Sequence, residues 1–289
     1  MNIRDAISKK RLILDGGMGT ELYKRGVSGD TSLANIHAPD AVCEIHRAYI
    51  EAGADIITAN TFGAYKHKFD NSKDLISGAF EIAKKARGDK NVYIAMDLGA
   101  TGLMLEPYGD VSIEECREIF AEAARTGAAN GADLVIIETM MDLSELKAAL
   151  DAAAETGLPI MATMSFTESG RTMYGASLEE MAEAFNHPNV IAIGMNCGFG
   201  PKAYMPLIST LLQHTDKPLI LQPNAGLPIV GGDGVPVYDL NAKDFAALMA
   251  EAAGKGVRVL GGCCGTTPEH IAAMADVVSS RDCPPVASL

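Results

Sequence analysis

Eight short runs of nearly unbroken apolar residues punctuate the chain: LILD (12–15), DIITAN (55–60), VYIAMDLG (92–99), LVIIET (134–139), IMATMSF (160–166), VIAIGMNC (190–197), LILQPN (219–224) and VRVLGG (257–262). Their β-branched content, brevity and weak alternation predict strands buried on both faces, as parallel sheets require. The stretches between them carry apolar residues at helical spacing, as in PDAVCEIHRAYIEAG (39–53), SIEECREIFAEAARTGAANG (112–131) and LSELKAALDAAAETG (143–157). Eight strand–helix units in a chain of 289 residues predict an α/β fold of the (β/α)8 or TIM-barrel class, with an open doubly wound sheet as the other solution. No linker, low-complexity tract or charge block interrupts the series, so residues 1–289 read as a single domain.

Small-residue turns fix the phase of these units. EAGADIIT (51–58), ANGADLVI (129–136), ETGLPIMA (155–162) and AGKGVRVL (253–260) each place a glycine where a helix ends and a strand begins. The opposite strand ends then fall at Asp15, Asn60, Gly99, Glu138, Phe166, Cys197, Asn224 and Gly262. In a closed barrel those ends form the face that carries chemistry.

Composition narrows the partners. With 24 basic against 37 acidic residues, a formal charge of -13 disfavours a surface for nucleic acid. No apolar run reaches the roughly 18 residues of a membrane span. The opening MNIRDAISKKRLILDGG resembles a mixed-charge helix rather than an export signal, so the expected location is cytoplasmic.

Six cysteines are too few for a disulfide framework in a chain of this length. Cys43 and Cys116 lie in helical patterns and read as packing residues, and Cys283 sits in a polar, proline-bearing tail as an incidental residue. Cys197 ends the sixth strand, whereas Cys263 and Cys264 follow the eighth, so three thiols converge on one barrel mouth. Neighbours on a strand point to opposite faces, and Gly261, Gly262 and Gly265 allow the chain to turn enough to bring both adjacent thiols inward. Three thiolates suit zinc with a fourth position left for substrate. A thiol–disulfide pair and simple packing are the other readings of these residues, although no CxxC spacing favours redox chemistry.

The segments LDGGMGTEL (14–22), DIITANTFGA (55–64), IETMMDLSELKAAL (137–150), GMNCGFGP (194–201), LQPNAG (221–226) and GGCCGTTPEHI (261–271) together resemble the homocysteine S-methyltransferase family over almost the full length. Within it they are most similar to the homocysteine-binding barrels of cobalamin-dependent methionine synthases. The resemblance implies one Zn2+ per chain held by Cys197, Cys263 and Cys264, and L-homocysteine as the methyl acceptor. It also implies that Asp15 and Glu138 receive the acceptor ammonium. The turn containing Gly16, Gly17 and Thr20 would receive its carboxylate, and this turn lacks the nucleotide-binding GxGxxG and GxxxxGK[ST] patterns.

Asn60, Asn196 and Asn224 are expected to brace loops or ligands, and Met18, Met140, Met141 and Met195 either line the mouth or fill gaps. For the donor, the resemblance to methionine synthases implies methylcobalamin carried by a partner corrinoid protein or module, because no cobalamin-binding DxHxxG segment is present. S-methylmethionine and betaine are the alternative donors. A noncatalytic zinc-binding subunit of a methyl-transfer complex is the alternative of a different class.

Overall fold

A computed structural model describes residues 2–230 and 236–279 of the chain. The incidental reading of Cys283 lies outside these residues. Helix α1 (Ile3–Lys9) leads into strand β1 (Leu12–Ile13), followed by α2 (Met18–Lys24), α3 (Ala34–His37), α4 (Pro39–Glu51) and β2 (Ile56–Thr58). Then come α5 (Ser72–Arg87), β3 (Tyr93–Leu98), α6 (Ile113–Ala129), β4 (Leu134–Met140), α7 (Leu143–Ala154) and β5 (Ile160–Met164). Next are α8 (Leu178–Ala184), β6 (Val190–Cys197), α9 (Pro201–Leu211) and β7 (Leu219–Pro223). A hairpin of β8 (Pro228–Val230) and β9 (Pro236–Tyr238) precedes α10 (Ala242–Gly254), β10 (Val257–Leu260) and α11 (Pro268–Ser279).

The eight predicted strands form one parallel sheet in the order β1-β10-β7-β6-β5-β4-β3-β2. A parallel bridge between Leu14 and Ile56 joins its two edges, and closure removes the exposed strand edges that an open sheet would keep. The architecture is the predicted (β/α)8 barrel. Helix starts follow local chemistry. Ser112 accepts the Glu115 N–H while Glu115 accepts the Ser112 N–H, and Ser177 with Glu180 repeats this reciprocal cap on α8. At the other end of the units, Gly53 and Gly157 take φ of 98° and 71°, the left-handed geometry expected of the small-residue turns.

The barrel interior changes character along its axis. Leu12, Leu14, Ile56, Ala95, Leu134, Ile136, Met161, Ile191, Ala192, Ile220 and Val259 pack together with Ile3, Ala6 and Ile7 of α1 into a cluster separate from the strand–helix core. This plug fills the barrel from the end that α1 covers. Two residues further along several strands, on the same inward side, the residues become polar: Thr58, Asp97, Glu138, Thr163 and Gln222. An apolar plug below a polar layer gives the fold a dry floor for a site at the strand C-terminal ends.

The β8–β9 hairpin was not anticipated from the sequence. Its residues pair as Pro228 with Tyr238 and Ile229 with Val237 and remain outside the barrel sheet. Their apolar side chains are exposed, 57% for Ile229 and 55% for Val237, so the core-burial signal that marks the other strands is missing. Among the described residues, no helix is long and apolar enough to cross a membrane.

Candidate active site

A cavity of about 290 Å3 opens at the strand C-terminal ends. Asp15, Gly16, Gly17, Thr20, Asn60, Glu138, Cys197, Cys263 and Cys264 all line it. Asn196 and Asn224 lie behind this wall, at 0% and 3% exposure.

The sulfurs of Cys197, Cys263 and Cys264 lie within 4.8 Å of one another, with Cys263 and Cys264 Sγ 3.9 Å apart. Tetrahedral zinc with Zn–S bonds of about 2.3 Å separates its sulfurs by roughly 3.8 Å, so this donor set fits the ion without rearrangement of the fold. Among themselves the three thiols share charge unequally. The Cys197 thiolate is favoured by hydrogen bonds from Cys263 and Cys264, and those bonds hold the other two thiols protonated.

Different backbone devices bring the sulfurs together. Cys197 takes a left-handed φ of 59°, rare outside glycine, and the Tyr204 hydroxyl donates to its carbonyl at 2.6 Å. Cys263 leaves the sheet more gradually. Its N–H donates to Pro223 O at 2.9 Å, the Thr266 hydroxyl donates to its carbonyl at 2.7 Å, and the chain then reverses at Gly265 with φ of 79°. The Cys264 carbonyl is held by the Ala225 N–H at 3.0 Å.

The glycines before α2 permit this packing. A Cβ on Gly17 would stand 2.7 Å from Cys263 O, and one on Gly16 would stand 2.6 Å from the Thr266 hydroxyl. Gly17 N–H donates to that hydroxyl at 3.1 Å, while Thr20 Oγ1 receives the Gly265 N–H at 3.2 Å. Thr20 therefore ties the first loop to the cysteine loop, besides its expected place in the turn that receives the acceptor carboxylate.

The carboxyls differ in support. Asp15 receives the Thr58 N–H at 2.8 Å and the Thr58 hydroxyl at 3.1 Å, yet burial dominates and pushes its pKa up to about 7. Glu138 is raised to about 8, first by burial and then by the negative charges of Cys197 and Asp15. It receives only long contacts, from Asn196 Nδ2 at 3.4 Å and Gln222 Nε2 at 3.5 Å. Asp97, Thr58 and Gln222 also line or support the cavity and were missed in the sequence. Their inward parity on strands three, two and seven was the available signal.

The asparagines make local hydrogen bonds. Asn60 Nδ2 donates to Thr31 O at 2.7 Å and Asn35 Oδ1 at 2.9 Å. Asn224 donates to the Cys197 sulfur. Of the methionines, Met18 lines the cavity, whereas Met140 and Met195 are buried in the strand–helix core and Met141 is half-buried. Cys43 and Cys116 are buried in the same core, away from the cavity.

The family model described as homocysteine S-methyltransferase matches residues 12–278. The methionine synthase of Mycobacterium tuberculosis is 32% identical over 96% of this chain and 25% of its own length, so the chain spans about a quarter of that relative. The solved homocysteine methyltransferase MmuM from Escherichia coli, in its metallated form, is 25% identical with a TM-score of 0.79, covering 95% of this chain and 98% of that one. Its oxidized form is 26% identical with a TM-score of 0.76, covering 92% and 95%.

These matches correct the expected donor. MmuM is matched from end to end by this barrel alone, and its forms are named for metal and oxidation, with no corrinoid among them. The expectations of methylcobalamin as cofactor, of a corrinoid partner and of cobalamin dependence are therefore overturned. The motifs misled because GMNC and GGCC carry only the three thiols, a donor set compatible with more than one methyl donor. The noncatalytic alternative falls too, since the three-thiol cluster and the matches support an enzyme. A family model covering nearly the whole barrel, on a chain whose three thiols meet in its mouth, leaves one conclusion: this protein belongs to the homocysteine S-methyltransferase family.

Proposed function

We propose that residues 1–289 act as one cytoplasmic domain that transfers a methyl group from a small onium donor to L-homocysteine, forming methionine. The observation that carries this reading is the convergence of three thiols and two buried carboxyls, Asp15 and Glu138, on one cavity. Cys197, Cys263 and Cys264 are the residues that would hold one zinc ion. When bound there, zinc supplies Lewis acidity that lowers the pKa of an added thiol and keeps it nucleophilic at neutral pH.

The chain's own groups orient the acceptor. Asp15 and Glu138 receive its ammonium, and the turn at Gly16, Gly17 and Thr20 receives its carboxylate. Asn196 and Gln222 direct Glu138 toward the cavity, and Asn60 and Asn224 brace the surrounding loops. The apolar plug beneath keeps water from the floor and strengthens these charge contacts. Thiol-dependent chemistry also suits the reducing cytoplasm.

The cavity favours a positively charged donor. Among the described residues lining it there is no lysine, arginine or histidine to repel a cation. S-methylmethionine is the preferred donor and betaine the second, because a neutral thioether leaves more readily than an amine. The test is methionine formation from L-homocysteine by the zinc-loaded protein with each donor, followed by mass spectrometry of the transferred methyl. Methionine formation with S-methylmethionine is expected, and failure with both donors would overturn the proposal.

A further inference from the structure

Asp97 has no counterpart among the roles assigned so far. It sits on β3 two residues beyond Ala95 of the barrel plug, on the same inward side, and it lines the cavity at 6% exposure. Its direction is fixed by its own backbone. The fully buried Thr61 hydroxyl receives the Asp97 N–H at 3.1 Å and donates to the Asp97 carbonyl at 2.9 Å, leaving the side chain to project into the barrel. Its Oδ1 is buried without a hydrogen-bond partner in the chain.

An unpartnered buried carboxyl oxygen is costly, and native structures keep few of them without a functional reason. Asp15 already has Thr58, and Glu138 has Asn196 and Gln222. Asp97 lies close enough to both acids that their charges, after burial, raise its pKa well above the ordinary carboxyl range. Three acids, Asp97 on β3, Glu138 on β4 and Asp15 just after β1, thus line the cavity that also carries the thiols. Gln222 Oε1 also lacks a partner, but it is neutral and its Nε2 is committed to Glu138.

We propose that Asp97 is the third carboxyl of a cradle that receives the primary ammonium of the acceptor, one N–H to each of Asp15, Asp97 and Glu138. The inference rests on the homocysteine reading above and deepens it. An amino-acid ammonium has three N–H donors, and three carboxyls match it in number, each able to accept one of them. The cradle selects α-amino thiols over thiol acids of the same length, and primary amines over N-alkylated ones.

Calorimetric titration of the zinc-loaded protein with L-homocysteine and with 4-mercaptobutanoate, which lacks only the amine, tests this. Asp97→Asn should weaken homocysteine roughly tenfold or more, the range of a hydrogen bond to a charged group, and leave 4-mercaptobutanoate unchanged or tighter. Equal weakening of both thiols, or no weakening of homocysteine, would overturn the role of Asp97 while leaving the acceptor reading intact. Failure of the unsubstituted protein to bind homocysteine would overturn both. A second measurement needs no variant: N-methyl- and N,N-dimethylhomocysteine should bind the unsubstituted protein progressively more weakly, and equal affinity across the series would refute the cradle.

Discussion

Asn196 clamps Thr139 at both ends of one carboxamide. Its Oδ1 accepts the Thr139 N–H at 2.9 Å, and its Nδ2 donates to the Thr139 hydroxyl at 2.7 Å. Thr139 needs such a clamp, because its φ of 60° is unfavourable for a β-branched residue. The same carboxamide accepts from Thr163 at 2.8 Å and reaches Glu138 at 3.4 Å, so Asn196, next to Cys197 on β6, ties the end of β4 to β5.

Removing the clamp should separate positioning from folding. Asn196→Ala leaves several buried polar groups without partners, at about 1 to 3 kcal/mol each, and should lower the melting temperature markedly. Asn196→Asp keeps the two contacts made by Oδ1 but places an acceptor against Glu138. It should fold and show a raised KM for homocysteine in steady-state assays, and an unchanged KM would refute the coupling.

Zinc content tests the thiol trio directly. About one zinc per chain is expected, and elemental analysis of Cys197→Ala, Cys263→Ala and Cys264→Ala should show it lost or sharply reduced in each. Cys43→Ala and Cys116→Ala should retain the metal, because both thiols are buried in the strand–helix core. Full retention in all three mouth variants would reject the ligand assignment.

The carboxyl pair should affect the acceptor and leave the metal in place. Asp15→Asn and Glu138→Gln are each expected to weaken homocysteine binding by roughly 1.5 to 3 kcal/mol with zinc content unchanged. Calorimetry and metal analysis on the same samples decide it. Normal affinity in both variants would remove these residues from acceptor recognition.

His46 provides a test of stability remote from chemistry. It is fully buried in α4, neither ring nitrogen has a hydrogen-bond partner, and burial lowers its pKa from 6.5 to about 4. The unfolded chain therefore takes up the proton first. The stability associated with neutral His46 is fully present above pH 6.5 and is lost as pH falls toward 4. Between pH 7.5 and 4.5 this loss should reach roughly 2 to 3 kcal/mol, and His46→Leu should remove that part of the dependence. Urea unfolding of both proteins at the two pH values measures it, and identical pH dependence would show that His46 is not its source.

The order of strands and helices was legible because burial on both faces leaves a local signature. VYIAMDLG and LVIIET read as strands without reference to any other segment, and Gly53 and Gly157 mark where helices end. Convergence of Cys197 with Cys263 and Cys264 was also legible, since barrel topology alone places all three after strand C-terminal ends. The hairpin at Ile229 and Val237 was not, because its strands are not buried against the core. Nor was Asp97, which within IAMDLG is one acidic residue in a strand. Only the pairing of β3 with β4 sets it near Glu138, only barrel closure brings Asp15 to the same cavity, and only the Thr61 contacts fix its direction. Sequence periodicity reports which face a residue occupies on its own element. Which charges share a cavity is decided by the register and closure that bring distant elements together.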